Sequence, residues 1–196
     1  MDYTIHRNNQ DEFLIEILRD SFSTKIAFDF DPGNDFYGLA VCCNYHKNGH
    51  PVGLLKDNGL IVSKIEGKKF RPSFEVGNSV IQAGPTLIEN FEKQKRVKAE
   101  EFSTGEIVSG IHVSIGQKKF GNYVIILTKN ASLGEITEKL AAMNCQNAIK
   151  LPGLKQVGFY FRSTHQVVKY GNFPMPVALV FCPRLQKHAD LLSQIV

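Results

Sequence analysis

Short apolar segments, broken again and again by Gly, Pro, Asn and Asp, constrain this chain more than any other feature. Such segments bounded by turn formers read as strands. The sharpest boundary is Asp57-Asn58-Gly59, which lies between Val52-Gly53-Leu54-Leu55 and Leu60-Ile61-Val62. Asn-Gly supplies the positive backbone angles of a tight turn, so these two segments are expected to pair as a hairpin. Further strands are expected at Ile26 to Phe30, Tyr37 to Cys43, Ile107 to Gly116, Tyr123 to Thr128 and Ala148 to Leu151. Val157 to Arg162, Gln166 to Tyr170 and Val177 to Phe181 complete the set. Ser79 to Phe91 reads as one more strand, bent at Gly84-Pro85 because proline cannot donate to a ladder.

Helical spacing occurs in three places. From about Asn9 to Phe22, Phe13, Leu14, Ile17, Leu18 and Phe22 recur at three and four residues, and Asn9 with Glu12 resembles a capping box. Ser132 with Glu135 makes a second capping box, ahead of a helix carrying Leu133, Ile136, Leu140 and Met143 inward and closed by Asn144 as a left-handed cap. A terminal helix is expected from about Pro183 to Ile195, with proline at a tolerated first-turn position. With 196 residues the chain suits one buried core. The expected class is therefore α+β, a single domain over 1–196 with a mixed, mostly antiparallel sheet and packed helices.

Charge and residue usage narrow the partners. The net charge of +4 comes from dispersed Lys and Arg, and the longest basic cluster, Lys93 to Lys98, adjoins Glu92, Glu100 and Glu101, so nucleic acid is not an expected partner. No apolar run reaches the roughly 18 residues of a membrane span. Cys42, Cys43, Cys145 and Cys182 lack CxxC spacing and are expected as free thiols, and no charged-then-apolar leader opens the chain, so a cytoplasmic setting is expected. The six histidines contain no HExxH pair, and neither a Walker loop nor a dinucleotide fingerprint is present. No metal and no cofactor are expected.

Candidate chemistry gathers in a few loops and strand ends. Asn44-Tyr45-His46 follows an apolar run, where a rigid sheet would fix a short exposed segment, and His46 titrates near neutrality. In Gln82-Ala83-Gly84-Pro85, the glycine lets a ligand approach the backbone closely. His112-Val113-Ser114-Ile115-Gly116 offers an imidazole and a hydroxyl, while Pro152-Gly153-Leu154-Lys155-Gln156 offers a positive charge at Lys155. Asp29 and Asp31 are further carboxylates at a strand end.

These segments, with the capped helix at Ser132 to Leu151 and with Pro176 to Phe181, resemble in order the phosphodiester glycosidase family. The resemblance implies that family's fold and recognition of a sugar joined to phosphate. It implies a ligand-binding asparagine at Asn44 and an active-site segment at Gln82 to Pro85. It also implies an anion contact at the position of His112 and a phosphate-binding loop at Gly153, to which Ser114 adds a hydroxyl donor of its own.

Two positions depart from the family pattern. His112 stands where the family typically carries an arginine suited to an anionic phosphodiester, and Pro152 stands where it carries an aspartate. The expected site comprises His46 and His112 as proton carriers, with Asn44, Gln82, Gly84, Ser114, Gly153 and Lys155 binding the ligand. The expected partner is a small anionic sugar-phosphate or nucleotide-like ligand. Two functions remain open at this stage. One is a divergent hydrolase of that ligand, and the other a noncatalytic sequestering binder or structural module that has lost the catalytic residues.

Overall fold

The computed structural model describes residues 1–43, 45–47, 50–63, 73–94, 110–152 and 157–184. Eighteen strands, numbered in chain order, build it. The largest sheet has seven, in the order β1 (Tyr3–Asn8), β2 (Glu12–Ile17), β14 (Tyr123–Ala131), β13 (Gly110–Lys118), β15 (Cys145–Lys150), β11 (Thr86–Glu89) and β12 (Glu92–Lys93). A five-stranded sheet runs β17 (Val167–Gly171), β16 (Gly158–Arg162), β4 (Gly38–Cys42), β18 (Met175–Pro183) and β3 (Phe22–Phe30). A four-stranded sheet runs β8 (Leu60–Ser63), β7 (Leu55–Asp57), β10 (Ser79–Gln82) and β9 (Ser73–Val76), and β5 (Tyr45–Lys47) pairs with β6 (His50–Val52). The pairings among the described residues are antiparallel throughout.

Side-chain alternation along the strands explains the layering. Phe13, Ile15 and Ile17 of β2, Val113 and Ile115 of β13, and Ile125 and Leu127 of β14 share one buried core with Leu39 and Val41 of β4, Phe159 and Phe161 of β16, and Leu179 and Phe181 of β18. The seven- and five-stranded sheets thus pack face to face, and Leu55, Phe74, Val76 and Ile81 of the four-stranded sheet join the same core. The opposite face of the seven-stranded sheet, through Leu14, Val124, Ile126 and Ala148, is covered by Leu133, Ile136 and Leu140 of helix α1 (Leu133–Ala142).

The α+β expectation is overturned. The protein is mostly β, with α1 the only α-helix among the described residues. The expected helix from Asn9 to Phe22 is instead strand β2, and it misleads because both faces of β2 are covered. Phe13, Ile15 and Ile17 face the inter-sheet core while Leu14 faces α1, so the strand shows a continuous apolar run that mimics helical spacing. The supposed cap is real local chemistry put to another use. Asn9 Oδ1 accepts from the amides of Asp11 at 3.0 Å and Glu12 at 2.8 Å, and the Asn9 amide donates to Glu12 O at 3.0 Å, which closes the β1–β2 hairpin. Pro183 ends β18, and residues 185–195 of the expected terminal helix lie outside the described residues. The expected bent strand from Ser79 to Phe91 is two strands in different sheets, β10 and β11, separated at Gly84-Pro85.

Helix α1 forms as its sequence predicts. Ser132 Oγ accepts from the Glu135 amide at 3.2 Å, Glu135 Oε2 accepts from the Ser132 amide at 2.8 Å, and Asn144 adopts φ 57° beyond the last turn. These hydrogen bonds hold the Glu135 carboxyl below its ordinary range. Replacing Ser132 with alanine removes the acceptor for the Glu135 amide and is expected to destabilise the fold by about 1 kcal/mol in urea unfolding. A variant as stable as the parent would show that the box contributes nothing. Among the described residues no helix is long and apolar enough to cross a membrane.

Candidate functional site

Two backbone hydrogen bonds assemble the site. The Lys150 amide donates to Pro85 O at 3.0 Å, and the next amide, Leu151, donates to Val113 O at 2.9 Å. The end of β15 is thereby held between the Gly84-Pro85 crossing and the start of β13. Gly84 on one side of β15 and His112 and Ser114 on the other, which are far apart in sequence, thus flank the same strand end. Pro152 follows directly and is buried.

Alternation then sorts the side chains. Val113 and Ile115 enter the inter-sheet core, so His112 and Ser114 point to the face that carries α1. Ser114 lies directly opposite Lys150, and His112 directly opposite Thr128, which itself lies opposite Glu12. All five are buried, with relative exposures of 5% at His112, 0% at Ser114, 1% at Lys150, 1% at Thr128 and 7% at Glu12. Directly opposed residues are about 5 Å apart, so Glu12 lies about 10 Å from His112 across β14.

The polar groups in this patch differ in how they are satisfied. Glu12 pairs with Lys139 of α1 and approaches Arg7 at 3.8 Å, so its charge is balanced. Ser114 Oγ and Thr128 Oγ1 are buried and make no hydrogen bond among the described residues. A buried hydroxyl left unmatched costs about 1–3 kcal/mol, which makes both positions candidates for contact with a ligand. Lys150, Ser114 and His112 together therefore form a cationic and hydrogen-bonding corner suited to an oxyanion.

The other expected site residues fare differently. Gln82 is buried, and its Oε1 accepts from the Leu54 amide at 2.9 Å, which fastens the turn that leaves β6 to the end of β10. His46 lies on β5, with its side chain outside what is described. Asn44, Gly153 and Lys155 lie outside the described residues. Asp29 and Asp31 are exposed, at the end of β3 and just beyond it in the five-stranded sheet, and Asp31 approaches Lys169 at 3.9 Å.

Sequence reasoning passed over Lys150, Thr128 and Glu12. It placed the cation of this site at Lys155, although a signal for Lys150 was present. A lysine between Ile149 and Leu151 in a buried strand shares the face of Ala148, which packs on α1, and so cannot reach water without a reason. The cysteines carry no chemistry here. All four are free, burial pushes the Cys43 thiol well above its usual range, and burial pushes Cys145 up to about 12, so neither is a thiolate at neutral pH. Two hollows of about 350 and 330 Å³, which share Glu75 and Gln117, lie elsewhere. Neither space is lined by Gly84, His112, Ser114 or Lys150.

Comparison with known proteins identifies the fold and the family. No curated protein matches the chain in sequence. The catalytic domain of zebrafish N-acetylglucosamine-1-phosphodiester alpha-N-acetylglucosaminidase, auto-inhibited by its pro-peptide, shares the fold with a TM-score of 0.66 at 14% identity, covering 93% of this chain and 83% of that one. A hypothetical protein from Synechocystis gives a TM-score of 0.62 at 12% identity, covering 93% of this chain and 61% of its own. Residues 40–182 match the model of the phosphodiester glycosidase family, and that match spans every motif used above. The chain belongs to the phosphodiester glycosidase family.

Proposed function

We propose that this protein recognises a glycosyl-phosphate or nucleotide-like anion at the corner formed by Gly84, His112, Ser114 and Lys150. The observation that carries this reading is the unmatched, fully buried Ser114 hydroxyl directly opposite a fully buried lysine. The family arginine is replaced by His112, and Lys150 adds an ammonium group one strand away. Pro152 carries no carboxylate where the family has its aspartate, so recognition without turnover is the favoured form of this function. The protein would then sequester its ligand. Four free cysteines, three of them buried, support a reducing compartment and hence the cytoplasm as its setting.

Calorimetry with N-acetylglucosamine 1-phosphate, a uridine diphosphate sugar and neutral N-acetylglucosamine tests the reading. Both phosphate-bearing compounds are expected to bind and the neutral sugar to fail. No binding of either phosphate compound, or equal binding of the neutral sugar, would overturn the proposal. Release of free sugar during the same incubation would replace sequestration with hydrolysis and assign proton transfer to His112.

A further inference from the structure

The hollow of about 350 Å³ adjoins the Lys118 end of β13, where Gln117 is three residues beyond Ser114, about 10 Å at the rise of an extended chain. His112 and Lys118 are six residues apart on one strand, about 20 Å at the rise of an extended chain. The hollow encloses about 350 Å³ between a 3-10 turn (Arg19–Ser21), the β13–β14 hairpin and the end of β18. Four cationic residues line it, namely Arg19, Lys118, Lys119 and Arg184, against the two acidic residues Asp20 and Glu75.

Not all of these charges are available. Lys118 Nζ is paired with Glu16 at 2.8 Å, and although burial alone would raise the Glu16 carboxyl, hydrogen bonds from Lys118 and Asn122 hold it below its ordinary range. Glu16 also meets His6 at 3.2 Å and accepts from Asn122 at 2.9 Å, so Lys118 is committed to this cluster. Among the described residues no carboxylate pairs with Arg19, Lys119 or Arg184. Three cations with no carboxylate partner among the described residues repel one another around one polar hollow, a cost that an anion between them would relieve.

The hollow is also built rather than incidental. Tyr123 forms part of its wall, and its hydroxyl accepts from the Gly77 amide at 3.1 Å and from Gln117 Nε2 at 3.2 Å. Gly121 has φ +87°, and a Cβ there would fall 2.5 Å from Arg19 Cδ. The arginine stem therefore lies across the bare glycine backbone, which fixes its approach to the hollow. The Arg19 amide in turn donates to Asn122 Oδ1 at 3.3 Å.

We propose that this hollow is a second, separate anion site, specific for a phosphate group on a small hydroxylated molecule. Arg19 and Arg184 offer forked donors to phosphate oxygens, and Lys119 adds charge. Gln117, Asn78 and the Glu75 carboxylate line the same space and suit hydroxyl groups on the remainder of the ligand. A neutral sugar has nothing to balance the cations. Inorganic phosphate satisfies the cations but not the amides.

Equilibrium titration of the full chain with inorganic phosphate, glucose 1-phosphate and glucose tests this, in the parent and in Lys150→Met, which removes the cation of the first site. Glucose 1-phosphate is expected to bind Lys150→Met more tightly than inorganic phosphate, and glucose is expected not to bind. Arg19→Gln and Arg184→Gln are each expected to weaken phosphate binding about tenfold in either background, with Lys93→Gln, at a remote exposed ion pair, as the unchanged control. Both arginines are exposed, so these variants fold whether or not Lys150→Met does. Unchanged affinity in both arginine variants would overturn the proposal and leave the first site untouched. Loss of binding in Lys150→Met that the arginine variants do not share would assign all phosphate binding to the first site and sink this one.

Discussion

Truncating Phe159 to alanine is expected to lower the stability of the fold by about 3–5 kcal/mol. Phe159 is fully buried on β16, and its ring meets Phe13 of β2 edge-on with centroids 5.5 Å apart, so it spans the contact between the five- and seven-stranded sheets. Phe13 also meets Phe161 at 5.4 Å. Removing the Phe159 ring therefore takes away apolar burial and leaves a cavity that neighbours on two sheets cannot both collapse to fill. Total stability of a domain is typically about 5–15 kcal/mol, so this one change would consume a large share of it. Urea unfolding with an unchanged slope and a lower midpoint is the expected record. Phe120, 82% exposed in the β13–β14 hairpin, should tolerate the same truncation within about 0.5 kcal/mol. If Phe159→Ala and Phe120→Ala proved equally mild, the two sheets would not share the core described here.

The contrast between Asn58 and Asn9 shows how much of this fold was legible from sequence. Asn58-Gly59 demanded positive backbone angles at two consecutive residues, and the chain supplies them at 48° and 80°, which leaves only a hairpin. Ser132, Glu135 and Asn144 were equally specific, because start and stop signals enclosed a single apolar stripe. Asn9 and Glu12 carried the same local chemistry with no stop signal behind it. A side-chain oxygen capping a following amide serves a hairpin turn as well as a helix start, and the apolar run of β2 does not reveal whether it is covered on one face or two.

The site was legible as motifs but not as contacts. Their order along the chain was enough to indicate the family, and backbone hydrogen bonds hold Gly84-Pro85 and the His112 to Ser114 segment on opposite sides of the end of β15. The pairing of Ser114 with Lys150, and of His112 with Thr128 and Glu12, depends on strand register. That register is set by irregularities between Gly110 and His112 and between Gln117 and Lys118, where one residue of slip would turn Ser114 into the opposite core. No local residue preference encodes such a slip. Lys150 was therefore overlooked in favour of Lys155, a lysine in an apparent loop.

Replacing Lys150 with methionine is expected to weaken binding of N-acetylglucosamine 1-phosphate about a hundredfold, while leaving the absence of binding to the neutral sugar unchanged. Methionine keeps the unbranched length of the stem and removes only the charge, so loss of affinity reports the ammonium rather than a void. In a water-poor corner the ammonium interacts with phosphate more strongly than a surface lysine would, because little solvent screens it. Ser114→Ala removes one neutral donor and is expected to weaken binding by up to about tenfold. If both groups meet the same phosphate, the double variant should lose less than the product of the two single effects. Thermal unfolding of each variant shows whether the native fold is present at the assay temperature, and Ser114→Ala, which deletes a single buried oxygen, carries the test if Lys150→Met does not fold. Full affinity in a folded Lys150→Met, or in Ser114→Ala alone should that variant be the only one to fold, would remove the corner from the binding site.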